Sequence, residues 1–345
     1  MKIIIIIAAL VITGFTPCQK ILLTPATNDS PVNMFNEMWK GYDNWYGAFE
    51  VRHINWNSIY NMNHLLVDDT LNNKELYSVL YKLIAPPNDI HAFLQPTNDG
   101  LPRYESNGFI RMHKFRKYIT LGVIKVDYLP SLITIDEEIN FGIIEGNIGY
   151  IHFGAFNMPV KFYEQQIYAI MTDLKNAKGI IVDIRNHSGR DDMVSRYVAG
   201  WFAQERKLFM TVRKRNGPAR NDFGETEIWF VDKQGTYQYT NPVKILTTRW
   251  TAGAGETFTW AMNTQSQITQ MGDTTAGGFT GVISRELPNG WLYFVGTGDY
   301  RNAYGKSEEG KGVAPAKYII DTKKDIDNKK DKVLEVANES QKKYY

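Results

Sequence analysis

The sequence predicts a mixed α/β protein: a core in which strands and helices alternate, preceded by a smaller helical region. Three observations predict it. The apolar run Ile148–Phe153, the segment 161–175 with Phe162, Ile167, Ile170, Met171 and Leu174 at helical spacing, and the run into Asp183 read as strand, helix and buried strand. A second unit pairs Val243, Ile245 and Leu246 with a small-residue turn, Thr251-Ala-Gly-Ala-Gly-Glu256, and a helical pattern at Phe258, Ala261 and Met262. Residues 33–94 carry helical periodicity, as at Leu76, Val79, Leu80 and Leu83, until Pro86-Pro87 interrupts it.

The elements follow from the N-terminus. Lys2 and the apolar run Ile3–Ile12 read as a signal peptide over 1–18, because about ten apolar residues fall short of the ~20 a membrane span needs. Cys18, the sole cysteine, sits where a bacterial lipoprotein is cleaved and acylated. Phe15-Thr-Pro17 is a poor match to a lipobox, so an ordinary signal peptide is the alternative; either way the mature chain has no disulfide and no cysteine nucleophile. Residues 19–32, rich in Thr, Asn, Asp, Ser and Pro from Thr24, form a linker. Residues 33–94 form the helical subdomain, and 95–145 a connecting β-rich segment with short alternating runs such as Tyr118–Val123. The core takes up 146–345 and closes with an amphipathic helix from Asp331 to Ser340.

Composition narrows the function. A 345-residue chain with 43% hydrophobic residues makes a packed globular body of one large or two ordinary domains. A net charge of +2 gives no footprint for nucleic acid, and the basic stretch Lys323–Lys332 is interleaved with Asp as a solvated surface. No His-Glu-x-x-His, Cys/His metal spacing or phosphate loop is present, and the glycines of 253–255 and 277–281 do not fit a dinucleotide fingerprint. No cofactor or metal is expected. Trp39, Trp45 and Trp56 read as core.

The turn 251–256 carries the chemistry. A strand, a tight turn and a helix N-terminus aim backbone N–H groups at one point, where a developing negative charge can be held. A hydrolase built this way places a nucleophilic serine in the turn. Here the middle position is Gly253, which has no side chain.

Other blocks share this register. They are Phe35-Asn-Glu-Met-Trp39, Ile54-Asn-Trp56, Asp89-Ile-His91, Lys178–Arg190 with Asp183, Arg185 and a Gly-containing loop, Gly272–Gly278, Leu287-Pro-Asn-Gly290 and Glu309-Gly-Lys-Gly-Val-Ala-Pro315. In this order and spacing, over roughly residues 33–340, the chain resembles the S41 peptidases, the tail-specific or C-terminal-processing family that includes the tricorn core. The resemblance implies a crotonase/ClpP-like ββα core, secretion, and serine-peptidase chemistry on polypeptides through a Ser–Lys dyad or a tricorn-like Ser, His and Glu. The segment 95–145 is too short for the PDZ module of many dyad-type relatives and has no Gly-Leu-Gly-Phe-like loop, so no PDZ domain is expected.

Residue by residue, the resemblance puts the nucleophile position on Gly253 and the dyad lysine on Gly278, which excludes a lysine mechanism here. The general-base histidine falls on His91 and the carboxylate that orients it on Glu309. One oxyanion donor is the N–H of Ala254; the other belongs to the loop at Gly189, where relatives carry three glycines and this chain has Ser188, Gly189 and Arg190. His187, Gly277 and Gly278 are expected to line the substrate cleft. Asp183 and Arg185 read as a structural ion pair, His152 as a core group, and Glu256 as a first-turn carboxylate favoured by the helix dipole. Thr248 and Thr251 are poor substitutes for the missing hydroxyl, since the turn changes direction at every residue.

The expectation is therefore an exported S41-like protein, periplasmic or associated with the outer membrane, that binds polypeptide and does not cut it. It touches membrane only through a lipid on Cys18. The alternatives are an active serine endopeptidase whose serine has been replaced at position 253, and a surface structural or glycan-handling lipoprotein.

Overall fold

A computed structural model describes residues 28–97, 99–114 and 119–342. The predicted signal peptide, most of the linker and Cys18 lie outside them.

The chain opens with three helices, α1 (Pro31–Trp45), α2 (Trp56–Asn63) and α3 (Asn73–Ile84). Ser30 and Pro31 start α1, the serine hydroxyl accepting from the Asn33 N–H at 3.4 Å; α3 starts on a capping box between Asn72 and Glu75. The predicted stripe on α3 is buried: Leu76, Val79, Leu80, Leu83 and Ile84. It does not make a core by itself. It packs with Met34, Phe35, Met38 and Tyr42 of α1 and with Leu287, Trp291, Tyr293 and Val295 from late in the chain.

Strands β1 (Phe93–Gln95) and β2 (Tyr104–Glu105), helix α4 (Asn107–Lys114), the single turn α5 (Leu121–Val123) and strands β3 (Ile133–Thr134) and β4 (Ile139–Ile144) follow. This corrects the connecting β-rich segment. Leu121–Val123 is helical and runs into a wider helical turn over Ile124–Tyr128, where the Thr120 carbonyl accepts from both Val123 and Ile124. Ile119, Ile124, Leu129 and Leu132 thereby pack into one apolar cluster, which alternating strand geometry would split between two faces. The core also begins before residue 146, because β3 and β4 belong to its sheet.

The remaining elements are β5 (Ile148–Phe153), α6 (Val160–Leu174), β6 (Gly179–Asp183), α7 (Asp192–Ala199), β7 (Lys207–Lys214), β8 (Glu227–Val231), β9 (Val243–Thr247), α8 (Ala254–Asn263), β10 (Ile268–Gly272), β11 (Val282–Glu286), β12 (Leu292–Gly296), β13 (Gly298–Asn302), β14 (Lys317–Tyr318), α9 (Lys323–Asp327) and α10 (Lys332–Lys342). A seven-stranded sheet has the order β14-β10-β9-β6-β5-β4-β3. Strands β5, β6, β9, β10 and β14 run parallel; at one edge β4 pairs antiparallel with β5, and β3 antiparallel with β4. Both faces are covered, which explains the near-continuous apolar runs of its strands. Ile151, Phe153, Ile180 and Val182 face the α6–α8 side, whereas Ile148, Tyr150, Ile181 and Leu246 face α10. Two smaller sheets, β11-β12-β1-β2 and β13-β7-β8, complete the molecule. The fold is thus a mixed α/β core with an N-terminal helical region.

Candidate active site

Strands β6 and β9 are neighbours, and the segments beyond their carboxyl ends, 184–191 and 248–253, meet over the sheet edge where open α/β sheets bind ligands. Gly253 sits at the start of α8 with φ 52° and ψ −119°, a backbone that an L-residue holds only under strain and that marks the sharp strand-to-helix turn of a nucleophile elbow. A Cβ at this position would lie 3.3 Å from the Gly189 Cα and 3.9 Å from the Gly278 carbonyl oxygen, with no closer neighbour. A small side chain fits there if the Gly189 backbone gives by a few tenths of an ångström. Ala254 is the first residue of α8, where the backbone N–H has no acceptor within the helix.

Three contacts hold the turn. The Gly253 N–H donates to the Gly278 carbonyl at 3.0 Å, the Ala252 N–H to the His187 carbonyl at 3.0 Å, and the Ala276 N–H to the Thr251 carbonyl at 2.9 Å. Beneath it lies Glu256, fully buried, whose carboxylate accepts from the N–H groups of Gly277 and Gly278 at 2.7 Å each, the Thr275 hydroxyl at 2.5 Å and the Gly253 N–H at 3.3 Å. Burial pushes its pKa up to about 7 against the lowering effect of those donors. The helix-start carboxylate is therefore also the clamp that ties the 275–278 loop to the elbow. Gly277 and Gly278 consequently serve the elbow with their N–H groups turned inward to Glu256. A Cβ at Gly278 would lie 2.1 Å from the Ile90 Cδ1, so the Ile90 side chain would have to move to admit a side chain there.

The threonines are occupied. Thr251 is fully buried, donating its hydroxyl to the Ile184 carbonyl at 2.7 Å and accepting from the Thr248 N–H at 3.1 Å; the Thr248 hydroxyl donates to the Arg185 carbonyl. Neither is placed to act as a nucleophile.

The loop over the elbow differs from expectation at His187 and at Gly189, whose N–H is expected to serve as an oxyanion donor. His187 is fully buried, its Nδ1 accepting the Gly189 N–H at 3.1 Å and its ring edge-on to Phe156 with centroids 4.4 Å apart. Burial lowers its pKa to about 3. The ring supports the loop from below and does not line an open cleft, which corrects its predicted role. The same bond takes up the Gly189 N–H. The next residue, Arg190, holds φ 108°, a strained backbone for an arginine.

His91 reaches the elbow from the opposite side. Its Cε1 lies 3.0 Å from where a Cβ on Gly278 would be, so His91 and Gly253 flank the same glycine. Its Nδ1 is held at 3.1 Å by Asp89, which also accepts the His91 N–H at 2.8 Å in a tight local turn. Burial alone would lower the His91 pKa; the hydrogen bond and charge of Asp89, helped by Glu309, outweigh it and raise it. Glu309 does not bond to His91. Its Oε1 accepts from the Arg52 guanidinium at 2.7 Å and its Oε2 from the Phe279 N–H at 3.0 Å. The carboxylate that orients the histidine is Asp89, with Glu309 and Arg52 forming the layer behind. Arg52 also lies 3.7 Å from Asp89 and, after the opposing effect of burial, holds that carboxyl well below the usual range.

Asp89, His91 and Glu309 bring ligand atoms within 4.8 Å of one another. The guanidinium of Arg52 already sits among them, and a divalent cation there would face a fixed positive charge. The donor set does not fit a metal.

Sequence reasoning passed over Asp89 and Arg52. Asp89 was visible two residues before the histidine; Arg52 carried no signal, since its partner lies 257 residues away. Asp183 and Arg185 form the expected ion pair at 2.6 Å, extended by Asp331 at 2.7 Å. His152 is buried, its Nε2 bonded to Asn186 at 2.8 Å.

The comparisons with known proteins agree with this geometry. The model of peptidase family S41 matches residues 147–319. A solved candidate peptidase from Parabacteroides merdae is 26% identical, covers 91% of this chain and 97% of its own, and superposes with a TM-score of 0.79. The photosystem II D1 C-terminal processing protease (16% identity, 84% and 93% coverage, TM-score 0.53) and a lipoprotein from Streptococcus agalactiae (13% identity, 93% and 98% coverage, TM-score 0.55) share the fold. With the strand-to-helix elbow, its buried clamp and the histidine on its far side in place, the chain belongs to peptidase family S41.

Proposed function

We propose that this S41 member is exported and holds polypeptide segments in the cleft beside Gly253 without cutting them. The observation that carries the reading is Gly253 itself: an elbow in the strained nucleophile conformation, with His91 and Ala254 around it, and no atom to attack a carbonyl. Loss of the nucleophile in a hydrolase triad costs roughly 10⁶ in kcat, which leaves slight turnover at best. Gly253, His91, Asp89, Glu309 and the Ala254 N–H are the residues assigned to this site, with Asp89 in the orienting role and Glu309 behind it.

Export rests on the N-terminal sequence, Lys2 followed by Ile3–Ile12, and a lipid on Cys18 would hold the mature protein at a bacterial membrane surface. No helix among the described residues is long and apolar enough to cross a membrane.

Hydrolysis of denatured casein by the mature chain, beside Gly253→Ser, tests the reading. The unaltered chain is expected to show no cleavage above background and Gly253→Ser to show clear cleavage, because only a slight shift of Gly189 is needed to admit the hydroxymethyl group beside His91. Cutting by the unaltered chain overturns the proposal. Failure of both to cut, with loss of peptide binding, removes the groove as well.

A further inference from the structure

A cavity of about 1030 Å³ opens beside the elbow. Arg190 forms part of its wall, and the preceding Gly189 packs 3.3 Å from the position of a Cβ on Gly253. A peptide lying over the elbow therefore passes its mouth. Phe156, Val212 and Tyr300 are buried at its inner wall, and Met158 and Trp229 stand further out. These apolar surfaces suit a long alkyl or aromatic side chain.

Of the charged groups that line the cavity, Arg190, Asp191, Lys214 and Glu227 stand with Asp192, and Asp192 is the one beside the buried Tyr300 and Thr257. Asp192, the first residue of α7, accepts from the Thr257 hydroxyl at 2.8 Å and from the Tyr300 hydroxyl at 3.5 Å. Among the described residues no cation lies within ion-pair distance of it; the cavity's Lys214 is 3.1 Å from Glu227. Burial raises the Asp192 pKa to about 6, an effect that the more distant Lys214 opposes only in part, since no cation is close enough to pair with the carboxylate. Its neighbour Asp191 already caps α7, bonding the Met193 N–H at 2.8 Å, so Asp192 is not needed for that task.

From the apolar walls and the unpaired carboxylate behind them we infer that the cavity is a side-chain subsite for lysine or arginine, with Asp192 as the residue that selects them. The alkyl stem lies along Phe156, Val212 and Trp229, and the cationic end reaches Asp192. A norleucine fills the same walls without the ion pair, and a glutamate places like charges together. Thr257, one turn into α8, keeps the carboxylate oriented toward the cavity. This inference rests on the peptide-binding reading above and adds the class of residue bound.

The test is affinity selection of a positional-scanning peptide library by the full mature chain with Gly253 unaltered, run in parallel with Asp192→Asn. Asparagine keeps the size and the Thr257 contact while removing the charge. At one position lysine and arginine are expected to be enriched about tenfold over norleucine, with glutamate depleted, and Asp192→Asn is expected to erase that enrichment while norleucine peptides are retained as before. Retained peptides with no basic preference, or a preference that persists in Asp192→Asn, overturn the subsite and leave the peptide groove standing. If neither protein retains any peptide and circular dichroism shows both folded, the subsite and the groove fall together.

Discussion

At the scale of single residues, His187 shows how a side chain with the look of a functional group can be a prop. Its ring fills the space against Gly255, where a Cβ would lie 2.7 Å from Nδ1, and it accepts the Gly189 N–H only as the neutral form. Protonation removes that acceptor. The folded-state pKa of about 3 lies below the ordinary 6.5, so between these values the unfolded chain binds more protons. Stability is full above pH 6.5, falls as pH drops below it, and the loss is complete near pH 3. Between pH 7 and 5 His187 should cost about 2 kcal/mol of stability. Replacing it with asparagine, whose Oδ1 can still accept from Gly189, should flatten urea-derived stability over that interval by this amount. Asp192 and Glu256 titrate in the opposite sense, but they do so in both proteins and cancel in the difference.

At the scale of elements, α10 is joined to the sheet by its apolar face, by the Gln341 amide, which donates to the Ile180 and Pro242 carbonyls at 3.0 Å each, and at its start by one buried carboxylate. Asp331 accepts the Leu334 N–H at 2.8 Å, capping the helix, and takes two bonds from Arg185 at 2.9 and 2.7 Å. Asp331→Ala removes the cap and half of the arginine's compensation, leaving Asp183 as its close partner. Loss of about 3 kcal/mol or more is expected in urea denaturation, with faster amide exchange in α10 before the rest of the core. Much at this scale was legible in advance. The strands and helix over 148–183, the turn at 251–256 and the terminal helix follow from apolar period and small-residue punctuation, because those signals are local. What escaped was set through space: Asp89 takes the orienting role expected of Glu309 because Arg52 claims the glutamate. The short helical turns over 121–128 escaped because their apolar residues satisfy a packing surface rather than a strand period.

At the scale of the whole molecule, the N-terminal helices and the late strands share one core. Trp291 and Tyr293 are almost wholly buried among residues of α1 and α3, and β1 pairs with β12. The helical region therefore has no independent apolar interior. In native-state hydrogen exchange, α1, α3, β1 and β12 should open as one unit with a common free energy. Opening of α1 and α3 at clearly lower denaturant than β12 would show a separable subdomain instead.

The pairing of Arg52 with Glu309 has a consequence in time. Asp89 and His91 are synthesised early, but the glutamate that completes their surroundings, together with the Phe279 amide it accepts from, appears only after most of the chain has been made. Until residue 309 has emerged, Arg52 lacks that partner and the histidine faces an unfinished wall. The surroundings of His91 are thus finished last, by the order in which the residues are made.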